Sequence, residues 1–101
     1  MPIAIKTTDN FDAWHDRLKD RKAVTIIDKH IYRMKNGDMG NVRSVGDGIF
    51  EKKIYFGPGY RLYFINKNNC LILLLCGGDK VTQSKDIKLA RKLKQEVLLL
   101  W

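Results

Sequence analysis

The chain has 101 residues, which fits one domain and leaves no room for a second independent core. Hydrophobic residues make up 45% of it, too many for a disordered chain and enough for a core that needs neither disulfides nor a structural metal. The 19 Lys and Arg residues against 11 Asp and Glu give a net charge of +8, which attracts phosphate backbones or acidic partners without choosing among RNA, DNA and protein.

The N-terminal third predicts one strand and two helices. Residues 2–7 alternate apolar with small or polar side chains, as an opening strand does. Helix-capping side chains follow, and apolar residues then recur every three or four positions through Leu18. A longer stripe of the same kind runs from Ala23 to Met34 and ends in a basic turn and Gly37, a candidate C-cap. The short separation of the two helices predicts a helical hairpin packed on a sheet.

After Gly37 the pattern changes to short strands. Residues 42–45 form a candidate short strand, and residues 49–56 alternate between two faces. The Gly-Pro-Gly turn at 57–59 leads to a partner strand at 60–65. The two longer segments therefore predict an antiparallel hairpin.

This hairpin places chemically useful side chains on one face. Glu51, Lys53 and Tyr55 alternate on the first strand, and Arg61 and Tyr63 on the second. Two cations, a carboxylate and two aromatic rings on one surface suit an RNA strand, because arginine grips phosphate bidentately, lysine supplies a point charge and tyrosine stacks a base. A solvated face with a Glu–Lys pair is an equally ordinary interpretation.

The run from Cys70 to Cys76 is continuously apolar, which predicts a central strand covered on both faces. The two thiols would lie roughly 20 Å apart along that strand, too far for a disulfide, so we expect reduced core thiols. The glycine pair at 77–78 is predicted to end the strand, just before Lys80. A plain turn is the simpler interpretation of that pair, and a close backbone approach near Lys80 is the functional one.

The last helix is predicted to start near Ser84, with one apolar side and one basic side. Its basic residues are Lys85, Lys88, Arg91, Lys92 and Lys94. The predicted architecture is α+β, a small antiparallel sheet with an N-terminal helical hairpin on one face and a C-terminal helix, in a single domain over residues 1–101.

Other enzyme templates are absent from the sequence. It has no GxxxxGK phosphate-binding loop and no CxxC motif, and its two histidines, His15 and His30, fall on separate predicted helices. Metal or covalent catalysis and bound cofactors are therefore not expected. The sequence shows no secretory signal, and no apolar stretch approaches the roughly 18 residues of a membrane span. We therefore expect a cytoplasmic protein without membrane contact.

Three blocks of sequence together resemble the RelE/ParE superfamily, specifically the HigB-like addiction-module killer proteins related to phage-derived Gp49. The blocks are residues 45–51, residues 54–64 with their Gly-Pro-Gly-Tyr-Arg motif, and residues 75–80 with Gly-Gly-Asp-Lys. The resemblance covers essentially the whole chain. It implies a short toxin that a co-encoded helix-turn-helix antitoxin neutralises, and that cleaves mRNA on the ribosome. In that chemistry the RNA's own 2′-OH is the nucleophile, so the protein orients it, moves protons and stabilises the pentavalent phosphate without a metal.

The resemblance also implies roles for single residues. Arg61 would grip the scissile phosphate, and Lys80 would clamp it or donate a proton. Lys53 stands where the family more often has arginine. Lysine keeps the positive charge but lacks the guanidinium that binds a phosphate bidentately. Glu51 would act as general base or orient Arg61. The residues expected to bind RNA are Tyr55, Tyr63, Lys85 and Lys88.

Two other functions remain open at this stage. One is an inhibitory binding protein directed at DNA gyrase, as in the ParE branch, and the other is an inactive relative that binds nucleic acid or antitoxin without chemistry. The tail at 98–101 is unusually apolar. Packing across the core is its simplest role, with antitoxin binding and self-association as alternatives, and the oligomeric state is left open.

Overall fold

The first elements form where capping side chains and apolar spacing agree. In the computed structural model, which describes residues 2–98, strand β1 (Ala4–Thr7) is followed by helices α1 (Asp9–Arg17) and α2 (Arg21–Lys35). The Thr8 side chain accepts a backbone N–H in the first turn of α1, and Asp20 caps α2 in the same way. The two predicted helices and their separation are confirmed.

The remaining elements are four strands and a long helix. They are β2 (Val42–Ser44), β3 (Phe50–Ile54), β4 (Tyr60–Lys67), β5 (Leu71–Gly78) and α3 (Gln83–Leu98). One sheet contains all five strands in the order β1-β5-β4-β3-β2. Strands β2 to β5 are antiparallel neighbours, and β1 joins the far edge parallel to β5. The predicted α+β architecture is confirmed, with one parallel edge strand in an otherwise antiparallel sheet.

Helices cover both faces of the sheet, which separates the core into two layers. On one face α1 and α2 pack side chains such as Ile27 against Leu62 and Phe64 of β4. On the other face α3 packs over β5 and β4, where Tyr63 and Leu75 are buried. The continuously apolar β5 is explained by this double cover, because alternate residues of a strand point to opposite faces.

The predicted boundaries of β5 were wrong at both ends. Cys70 lies exposed in the turn before the strand, and the glycine pair forms the last two residues of the strand rather than its end signal. Pairing with Arg61 and Leu62 of β4 continues through both glycines. Both cysteines are free, as expected, but only Cys76 is a core thiol, and burial raises its pKa to about 12.

The predicted packing of the apolar tail falls mostly outside the described residues. Leu98 is the last residue that the structure describes, and its side chain is 55% exposed. Residues 99–101, where the rest of that prediction falls, lie beyond the described range.

The glycine pair is required because side chains from both layers press against the end of β5. A Cβ atom on Gly77 would lie 2.4 Å from the Trp14 ring of α1. A Cβ atom on Gly78 would lie 1.8 Å from the Asp86 Oδ2 atom of α3. The pair therefore lets both helices approach the sheet where β5 ends.

Gly78→Ala is expected to lower the free energy of unfolding by about 1–3 kcal/mol, because the Asp86 carboxylate must move to admit the new methyl group. Urea denaturation of the single and double variants measures this. If the contact with Asp86 is the cause, the same substitution costs less in an Asp86→Ala background. Equal costs in the two backgrounds would contradict this account of the glycine.

Candidate active site

The register of β3 and β4 places four predicted side chains on one face. Glu51 pairs with Tyr63, and Lys53 pairs with Arg61. This is the face on which α3 packs, chiefly over β5 and β4. The predicted arrangement is thus partly under a helix and partly open.

A cleft of about 430 Å³ opens beside the turn that joins β3 to β4. It is lined by Lys53, Tyr55, Phe56, Gly57, Pro58, Gly59, Arg61 and Lys80. Three of the four predicted catalytic residues and one predicted RNA-binding residue therefore meet in one place. The charged residues that line it are all cations, which suits an anionic ligand.

Arg61 is almost completely buried at this cleft, with 4% of its surface exposed. Its Nη1 atom donates to the Gly59 carbonyl oxygen at 3.1 Å. Its Nε atom lies 3.8 Å from Glu51 Oε2 and is buried without a hydrogen-bond partner. Burial of a guanidinium with an unused donor is costly, and the nearby negative charge of Glu51 offsets part of that cost.

Glu51 connects the surrounding side chains. Its Oε1 atom accepts from Arg43 Nε at 2.8 Å, and its Oε2 atom accepts from the Tyr63 hydroxyl at 3.0 Å and from Gln83 Nε2 at 2.9 Å. Burial alone would raise the pKa of this carboxyl, but the hydrogen bonds from Arg43, Gln83 and Tyr63 outweigh it, and the pKa is lowered. A buried carboxylate held by three donors is a weak base, so of its two predicted roles the geometry favours orientation.

The prediction that Tyr63 stacks an RNA base was wrong. Its side chain is fully buried under α3, and its hydroxyl donates to Glu51. Burial raises the pKa of the phenol, and the neighbouring Glu51 raises it further. The alternation along β4 placed this ring on the correct face but gave no sign that a helix covers it.

Tyr55 lies at the mouth of the cleft and is 72% exposed. The Lys53 Nζ atom lies 5.0 Å from the centre of the Tyr55 ring. The Tyr55 hydroxyl accepts a hydrogen bond from Asn41 Nδ2 at 2.7 Å. The ring is thus held by two neighbours and remains open to a planar ligand.

The structure does not bring Lys85 and Lys88 to the cleft. Both are exposed on α3, whose first residue, Gln83, faces Glu51. At about 100° per residue, the two lysines point about 160° and 140° away from Gln83 around the helix axis. Their predicted contact with an RNA strand in the cleft has no support from this placement.

Sequence reasoning missed Arg43 and Gln83, the two donors that reach Glu51 from outside the hairpin. Arg43 lies on β2 and pairs with Glu51, and its side chain is 60% exposed. Gln83 begins α3 and fixes the start of that helix against β3. The contacts of both residues depend on pairings between segments that are distant in the sequence. The short strand β2 and the first residue of α3 carry no local pattern that predicts these pairings.

Comparisons with known proteins show similarity both in sequence and in fold. No protein-family model matches the chain. A protein of Haemophilus influenzae, described as an uncharacterized protein, is 52% identical over 97 residues, which is 96% of this chain and 98% of the relative. A chain of the RelBE2 toxin–antitoxin complex from Mycobacterium tuberculosis has a similar structure, with a TM-score of 0.61 and 13% identity over 79% of this chain and 100% of that one. The chain therefore shares its overall fold with a chain of that complex, in agreement with the fold that the sequence resemblance implies.

Proposed function

The chain belongs to the same family as its Haemophilus influenzae relative, and we propose that it is the toxin of a bacterial type II toxin–antitoxin system that cleaves mRNA. The observation that carries the proposal is the cleft that Arg61, Lys53 and Lys80 line together, beside the exposed ring of Tyr55. The likeness in fold to a chain of a toxin–antitoxin complex supports the same proposal.

In the proposed reaction, the 2′-OH of the substrate attacks the adjacent phosphorus and the bond to the 5′ oxygen breaks. The 2′-OH loses its proton to solvent water in the open cleft, and the departing 5′ oxygen gains one, which leaves a 2′,3′-cyclic phosphate and a 5′-OH. Arg61 binds the phosphate and stabilises the extra negative charge of the pentavalent state, a contribution worth about 10²–10³ in rate for a single donor. In this proposal Lys80, which is exposed and lines the cleft, protonates the leaving oxygen, and Lys53 adds a second positive charge. No step in this scheme requires a metal or another cofactor.

The proposal includes the partners and the location of the protein. Its substrate is mRNA on the ribosome, and a co-encoded helix-turn-helix antitoxin neutralises it. The ribosomal target places it in the cytoplasm, where its free thiols remain reduced. Within residues 2–98, no helix is long and apolar enough to cross a membrane.

Controlled expression of the chain in bacterial cells tests this function. We expect growth arrest together with loss of intact mRNA, while chromosomal DNA remains undamaged. DNA damage and filamentation with intact mRNA would instead identify an inhibitor of gyrase. Normal growth on full expression would identify an inactive relative.

Tyr55→Ala is expected to weaken binding of single-stranded RNA by about tenfold, because stacking of one base on an aromatic ring is worth about 1–3 kcal/mol. Tyr55→Phe keeps the ring and loses only the hydroxyl that Asn41 contacts, so it is the matched control. Fluorescence anisotropy with labelled RNA measures both. Equal weakening by the two variants would show that the hydroxyl, and not the ring, makes the contact.

A further inference from the structure

We propose that Arg43 is a second phosphate-binding residue, which extends the RNA site from the cleft across the sheet to edge strand β2. The inference rests on the proposed function for the identity of the ligand. It adds a contact to the phosphodiester next to the one that Arg61 binds.

The sheet register places Arg43 beside the cleft. It pairs with Glu51, the residue two positions before Lys53 on the neighbouring strand. One strand spacing and two residues along the strand separate the Cα atoms of Arg43 and Lys53, which amounts to about 8 Å. Their side chains lie on the same face of the sheet, with Arg43 60% exposed and Lys53 partly exposed, so one RNA strand can contact both.

Glu51 preorganises the Arg43 side chain. The buried carboxylate accepts from Nε, while the rest of the side chain is 60% exposed. Among the hydrogen bonds of residues 2–98, Arg43 donates only from Nε, so its Nη donors have no protein partner there. A guanidinium fixed at one edge already has the planar geometry that grips a phosphate, and less side-chain entropy is lost on binding.

The charge around Glu51 remains positive despite this contact. Arg43 and Arg61 flank the same carboxylate, and Lys53 lies beside them. One negative charge therefore faces three positive ones, which leaves an excess for phosphate. Lys85 and Lys88 lie on the opposite side of α3, so the helix separates them from the cleft. We therefore expect the RNA strand to run over β3 and β2.

Arg43 also has a simpler role, since its contact with Glu51 helps to position Arg61. The two roles differ in their dependence on salt. Each phosphate contact made by a cation releases counterions, so its loss reduces the slope of log affinity against log salt by about 0.7 for single-stranded RNA. A residue that acts only through Glu51 leaves that slope unchanged.

The test measures binding of a labelled ten-nucleotide single-stranded RNA to the full chain by fluorescence anisotropy at several salt concentrations. Arg43→Ala is expected to weaken binding roughly tenfold at low salt and to reduce the slope by about 0.7. Arg43→Gln removes the charge but keeps an N–H donor for Glu51, so it gives the same result without disturbing the carboxylate. Lys29→Ala removes one exposed charge from α2, on the opposite face of the sheet, and should leave the slope unchanged.

Each other outcome overturns a defined part of the account. Weaker binding by Arg43→Ala with an unchanged slope, or full binding by Arg43→Gln, assigns Arg43 to positioning alone and overturns the inference. The same slope change in Lys29→Ala shows general attraction to a basic protein and overturns it as well. If the wild-type chain does not bind the free RNA, the inference is overturned, while cleavage of mRNA on the ribosome is decided separately by the cleavage experiments. If Arg61→Ala binds the RNA as tightly as wild type, the proposed phosphate site fails and the inference fails with it.

Discussion

Arg61→Ala is expected to slow mRNA cleavage by about 10²–10³-fold and to abolish growth arrest while the chain stays folded. Arg61 lines the cleft together with Lys53 and Lys80. Its loss removes the best-placed hydrogen-bond donor for a phosphate in the transition state. Cleavage is measured on a defined mRNA in a cell-free translation reaction, where ribosomes are present.

A matched substitution on the other side of the molecule controls for loss of charge. Arg21 begins α2 and is exposed, so Arg21→Ala should cleave mRNA at the wild-type rate. Thermal unfolding followed by circular dichroism establishes that both variants are folded. Wild-type cleavage by a folded Arg61→Ala protein would remove Arg61 from the mechanism.

Glu51→Ala is expected to lower the free energy of unfolding by about 3 kcal/mol, the largest stability effect that the site predicts. The carboxylate is 3% exposed and accepts from Arg43, Gln83 and Tyr63, so its removal leaves the Tyr63 hydroxyl buried without an acceptor and Arg61 without a nearby counter-charge. Urea denaturation measures the loss. Tyr63→Phe deletes only one of these hydrogen bonds and should cost about 1 kcal/mol.

The pH dependence of the same variants separates charge from packing. The pKa of Glu51 is lowered in the folded chain, so its ionised form adds stability above the ordinary glutamate pKa, and this stability is lost as pH falls through the folded value. The difference in stability between wild type and Glu51→Gln is therefore expected at neutral pH and should close in acid. A difference that stays constant down to acid pH would show that packing, and not the charge, accounts for the role of Glu51.

Most of the elements could be predicted because their signals are local. The Thr8 cap and the apolar stripe from Ala23 to Met34 depend on residues close in sequence. The hairpin of β3 and β4 has a tight turn and alternating side chains, and so Lys53 and Arg61 were correctly predicted to share one face. The part of the cleft formed by this hairpin was therefore available from the sequence.

The cover of the sheet could not be predicted, because it depends on the packing of distant elements. The alternation along β4 does not indicate that α3 packs over Tyr63. The sequence therefore predicted a ring that is open to RNA. The same helix orients Lys85 and Lys88 away from the cleft, although their charge and spacing suited an RNA contact. The parallel pairing of β1 with β5 is equally non-local.

The edge of the site was also beyond sequence reasoning. Strand β2 has only three residues, too few for a pattern that fixes which side Arg43 takes. Its pairing with Glu51 becomes visible only in the folded sheet. The network around Glu51 thus joins three segments, β2, the β3–β4 hairpin and α3, whose contacts no single stretch of sequence encodes.

Mapping of mRNA 5′ ends by primer extension, after induction of wild type and of Arg61→Ala in the same cells, tests whether the chain cleaves mRNA through Arg61. We expect new ends inside coding regions, in register with codons, that appear within minutes for wild type and are absent for Arg61→Ala. Growth arrest by the wild type without new mRNA ends, or the same ends from a folded Arg61→Ala protein, would contradict that mechanism.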